Sequence, residues 1–83
     1  MTTEEIIAQL NPIFKDVLDN DDVVVTYNTT AADIEEWDSL THIQLVVAIE
    51  KHFKVRFKSG EITAFKNVGN MCEAIRLKLE TEG

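Results

Sequence analysis

The chain has one cysteine, Cys72, so no internal disulfide can form and nothing covalent staples the fold. No apolar run approaches the ~18 residues of a membrane span, and no membrane insertion is expected. Basic residues are nearly missing from the first half: residues 1–38 hold ten acids and one base, Lys15. Residues 39–83 hold five acids and seven bases, so the charge step falls at Ser39. The formal charge of −7 argues against nucleic acid and anionic membrane as partners. His42, His52 and one cysteine make no metal-ligand set. No repeat, low-complexity segment or linker is evident. The opening Met1-Thr2-Thr3-Glu4-Glu5 is acidic, unlike a secretory signal, and the cytoplasm is the expected compartment.

What remains is an ordinary globular composition, 45% hydrophobic and 28% charged. Eighty-three residues make one domain, 1–83, with no room for a second core. So small a chain buries roughly 60–65% of its unfolded surface.

Thr2 and Glu5 stand at capping-box spacing. Ile6, Leu10, Ile13, Phe14 and Val17 follow in one helical stripe. A helix over roughly 3–18 is expected, kinked at Pro12, or broken there with Asn11 as a new cap. Asp19-Asn20-Asp21-Asp22 reads as a solvated acidic turn, since it lacks the glycine and distal glutamate of a calcium loop. Val23-Val24-Val25-Thr26-Tyr27 is β-branched but has no partner strand. It reads as an extended loop packing its valines on the core, with Ile34 as a later anchor.

A second helix is expected over about 39–53, with Ile43, Leu45, Val46, Ile49 and Phe53 as its core face. Leu40 and Val47 lie at the edge of that face, either as core or as exposed contact residues. Val55 and Phe57 belong to an extended connector, and residues 59–65 to a short helix. Asn67 caps a last helix carrying Val68, Met71, Cys72, Ile75 and Leu79, with Leu77 flanking and residues 80–83 fraying. Gly69 weakens that helix by about 1 kcal/mol relative to Ala. The fold class is therefore all-α: a small antiparallel bundle of three main helices plus one short one, with a long loop between the first two.

The chemistry concentrates at Trp37-Asp38-Ser39-Leu40. Asp38 is a good N-cap residue. Ser39 then starts the helix at the positive end of its dipole, where an attached phosphate would meet free N–H groups. His42 lies one turn on, but a catalytic triad also needs a buried orienting group and an oxyanion site. Neither is visible. Ser39 reads as a residue that is modified, and His42 as an exposed neighbour of that modification. Trp37 is either a core-edge residue or a partner anchor.

Asp38-Ser39-Leu40, opening an apolar helix that ends Ala48-Ile49-Glu50-Lys51-His52-Phe53 in a short acidic chain, resembles the acyl carrier proteins. The resemblance covers essentially all of the sequence. It implies 4′-phosphopantetheine, taken from coenzyme A, on Ser39, with Asp38 and Leu40 as motif neighbours. Asp38 would help a phosphopantetheinyl transferase position its Mg²⁺ and the serine. The implied function is a non-catalytic carrier of acyl thioesters in fatty-acid, polyketide or related specialised biosynthesis. It would act as a monomer and serve acyl-transferring or condensing enzymes. Glu35, Glu36, Trp37, Leu40, His42 and Val47 are the implied partner-binding positions. The family often carries acids along the helix after the serine. Here Thr41, His42 and Gln44 stand there, followed by Lys51, His52, Lys54, Arg56 and Lys58, which points to a dedicated pathway. The alternatives are a peptidyl or D-alanyl carrier, or a small acidic interaction domain without a prosthetic group.

Overall fold

In a computed structural model describing residues 1–82, four helices surround one apolar core. They are α1 (Thr3–Val17), α2 (Ser39–Phe53), α3 (Ser59–Ala64) and α4 (Val68–Glu82), with a 3-10 turn at Ala31–Asp33 in the loop between α1 and α2. α1 packs against both α2 and α4. Its buried stripe is Ile6, Leu10 and Phe14, spaced by four residues. Thr2 and Glu5 form the expected capping box. Pro12 sits inside a single helix without ending it. It and Ala8, whose carbonyl it leaves unmatched, both lie on the exposed side, open to solvent.

Asn11 has a different task from capping. Its side chain stays in mid-helix and accepts from Val25 N–H at 2.8 Å while donating to Val25 O at 3.1 Å. Lys15 Nζ donates to Val23 O. Polar side chains of α1 thus supply the hydrogen bonds that a partner strand would have given. The loop alternates accordingly: Val23 and Val25 are buried, whereas Val24 is 69% exposed. The expectation that all three valines pack inward is corrected by this period of two.

α2 departs from expectation at Ile43, which is 52% exposed instead of in the core. Its buried face is Leu45, Val46, Ile49 and Phe53. Leu40, Ile43 and Val47 form a second apolar stripe, about 140° around the helix at 3.6 residues per turn. A helix apolar on two faces gives no periodic signal to say which is inside. α2 ends on Lys54 in the left-handed conformation (φ 59°), and Val55 N–H returns to Glu50 O at 3.2 Å. The Glu50 carboxylate accepts from Phe57 N–H at 2.8 Å and pins the connector.

Asn67 caps α4, accepting from Asn70 N–H at 2.7 Å. Val68, Met71, Cys72 and Ile75 are wholly buried. Burial pushes the Cys72 thiol up to about 11, so it packs as a small hydrophobe. Of the residues expected to fray, 80–82 are helical and Gly83 lies outside the described residues.

Candidate functional site

Asp38 begins α2 with an extended backbone, and its carboxylate accepts from Leu40 N–H and Thr41 N–H, each at 3.0 Å. Thr41 Oγ1 reciprocates by accepting from Asp38 N–H at 2.8 Å and donates to Glu36 O at 2.7 Å. This is a capping box with threonine in the glutamate's place. It locks the chain on both sides of the serine. The Thr41 N–H is the main cause that holds the Asp38 carboxyl below its ordinary 3.8.

A lowered carboxyl value stabilises the fold fully above the unfolded value, and the contribution is lost as pH falls through the folded one. Removal of this helix cap in Asp38→Ala should lower Tm at neutral pH by about 4–8 °C. The gap to wild type should close as pH falls below about 4. Thermal melts from pH 7 to pH 2 check this. A gap constant across that range would show that the cap is not ionic.

Ser39 is exposed and occupies the first helical position. Because Asp38 already takes the N–H groups of Leu40 and Thr41, the donor left over in the first turn is the N–H of Ser39 itself. The expected set of free N–H groups around a phosphate is thus reduced to one, with a carboxylate beside it.

A cleft of about 470 Å³ opens at Ser39. One wall is Trp37, Asp38, His42 and Ile43, and the other is Ile62, Thr63 and Phe65, with Ala31 at the edge. Sequence reasoning singled out none of the residues on the α3 side. They are brought to Ser39 by the connector, and no local pattern announces that.

Two of the implied partner-binding positions are more enclosed than the others. Trp37 takes the core-edge alternative: it is only 5% exposed, its ring edge-on to Phe14 at 5.2 Å, and it lines the cleft. His42 is half-buried instead of exposed. Its Nδ1 accepts from Trp37 Nε1–H at 3.0 Å, and its Nε2 lies 2.9 Å from Ile62 O. The pattern requires a neutral ring with its proton on Nε2. Both nitrogens are committed, so neither serves Ser39 as a base.

The other predicted positions are at the surface. Leu40 is 70% exposed and Val47 42%, which resolves the core-or-surface alternative in favour of the surface. With Ile43 they run along α2 from the cleft mouth. Glu35 and Glu36 are exposed on the loop just before Trp37, bordering a separate hollow with Asn20 and Asp22, and Glu36 accepts from Asn20 Nδ2 at 2.8 Å. At the far end of α2, Val47 borders a shallow hollow with Lys51, Lys54 and Arg56. The helix thus has an acidic approach and a basic end.

Residues 8–75 match the family described as phosphopantetheine attachment site. An acyl carrier protein of Rhodococcus erythropolis (strain PR4) is 32% identical over 82 residues, covering 99% of this chain and 89% of that protein. The solution structure of the holo acyl carrier protein from Geobacter metallireducens superposes with a TM-score of 0.84 at 42% identity. That match covers 92% of this chain and 87% of the other.

Proposed function

Because the chain belongs to the phosphopantetheine-attachment family and is a carrier of acyl groups on 4′-phosphopantetheine, we propose that Ser39 is the attachment residue and that the cleft beside it receives the arm. The observation that carries this reading is the exposed Ser39 at the cleft mouth, held on a doubly capped helix start. The residues fit the group. The serine is accessible, the cleft has apolar walls in Ile43, Ile62 and Phe65, and its volume suits a small organic moiety. When bound, the arm supplies a terminal thiol on which acyl groups ride as thioesters. The chain's own residues anchor it, aim it and present it. Carrier domains of this family are generally non-catalytic, and neither His42 nor Asp38 is placed to activate Ser39. Among the described residues no helix is long and apolar enough to cross a membrane.

Intact mass after incubation with coenzyme A and a broad-specificity phosphopantetheinyl transferase tests the reading. The chain should gain one arm, and an unchanged mass with the fold intact would refute it.

Docking is the finer part of the proposal. The transferase and the acyl-transferring or condensing enzymes approach along Glu35, Glu36, Leu40, Ile43 and Val47. Exposed charges act mainly on encounter rate and salt dependence. Glu35→Lys with Glu36→Lys should slow transferase loading about tenfold at low salt, with the difference shrinking at high salt. Initial rates at two salt concentrations decide it, and equal rates at low salt would remove these acids from the interface. Gln44→Glu is the clean way to restore an acid on α2, because Thr41 is committed to the cap.

A further inference from the structure

We propose that His42 is a positioning residue that, as the neutral Nε2–H tautomer, latches α3 to α2 and so holds the second wall of the cleft beside Ser39. α3 has six residues, too few to be stable alone. Tertiary contacts must keep it in place. On the side away from the cleft, Lys78 of α4 pairs with Glu61 at 3.2 Å, and Glu61 caps its own helix through Lys58 N–H. On the cleft side the polar tie is His42 Nε2–H to Ile62 O at 2.9 Å.

Two aromatic neighbours set the ring for this task. Trp37 Nε1–H points at Nδ1 and so fixes the proton on Nε2. The Trp37 ring lies nearly parallel to the imidazole, 18° between planes with centroids 6.0 Å apart, and Phe65 meets it edge-on at 6.4 Å. A proton added at Nδ1 turns the acceptor into a donor facing another donor. The buried indole N–H then loses its partner, and the ring must leave its place. The ionisable groups on the packed elements are few. Asp38 of α2 lines the same cleft. Glu61 of α3 is turned to Lys78, and Asp33 of the preceding loop is turned to Thr30 N–H. The latch therefore holds when the imidazole is neutral and loosens when it is charged. Loosening widens the cleft at Ile62, Thr63 and Phe65.

The latch can be tested on the unmodified protein, whereas its consequence for the arm rests on the carrier reading above. In His42→Phe, amide exchange at residues 62–65, measured relative to α4, should quicken roughly tenfold. The Trp37 indole N–H resonance should move as well. His42→Gln keeps a donor for Ile62 O and should recover most of the α3 protection. A residue that merely filled space would be replaced better by phenylalanine than by glutamine. On protein loaded with a hexanoyl thioester, hydroxylamine should cleave the His42→Phe form faster than wild type. Unchanged α3 exchange in His42→Phe, or loosening in His42→Gln as large as in His42→Phe, would overturn the latch whether or not Ser39 is ever modified. Loosened α3 with equal hydroxylamine rates would overturn its role toward the arm.

Discussion

Incubated with coenzyme A and a broad-specificity transferase, the Ser39→Ala protein is expected to keep its unmodified mass while wild type gains one phosphopantetheine. Far-UV circular dichroism and Tm should stay close to wild type. The hydroxyl lies at the exposed first position of α2, and alanine is at least as good a helix former there. The effect on loading is all-or-none because the oxygen that would form the bond is gone. The chain contains its own control. Its second serine, Ser59, also starts a helix at an exposed position, but Lys58 precedes it instead of an aspartate, and α3 begins there. Ser59→Ala should therefore load like wild type. Loading of Ser39→Ala, or loss of loading in Ser59→Ala, would move the attachment site.

The all-α fold was legible because three stretches carry their own stop and start signals. Thr2 with Glu5, Asp38 and Asn67 each announce a helix start, and all three act as caps. The serine was legible for the same reason, since an N-cap aspartate fixes the next residue at an exposed first position. The surroundings of the serine were not. Ile62 and Phe65 reach it from 23 and 26 residues downstream, guided by a connector pinned to Glu50. Nothing in the spacing of those residues marks them as a cleft wall. His42 was legible as a neighbour of Ser39 but not as a latch, because its partners Trp37 and Ile62 are set by the loop and α3 and not by α2. Ile43 was misplaced because α2 has two apolar faces, and only packing on α1 chooses between them. Asn11 was read through its proline neighbour, and its pairing with Val25 depends on a loop whose path the sequence leaves open.

Gly69 shows the same limit with the largest expected effect on stability. Read alone, it is a weak spot in α4, and alanine would be the natural improvement by about 1 kcal/mol. In the fold, a Cβ at this position would lie 2.8 Å from Tyr27 O and 2.9 Å from its ring. The ring could swing away, since Tyr27 is 45% exposed. The carbonyl oxygen cannot move alone, because its loop is tied on by Val68 N–H to Thr29 O at 2.8 Å. The glycine is thus what lets the first turn of α4 sit against the long loop. Gly69→Ala should cost about 1–3 kcal/mol, the usual range for overpacking, a large share of the stability of so small a domain. Gly60 is a matched reference. It too is the second residue of its helix, and a Cβ there meets nothing within 4 Å. Gly60→Ala should be neutral or stabilising by about 0.5–1 kcal/mol. Comparing urea midpoints of the two variants separates helix propensity from close approach. Shifts of the same sign would mean that the contact with Tyr27 is not what requires glycine. Opposite signs would show that it is, and the displaced loop should then carry Ala31, at the cleft edge, away from Ser39.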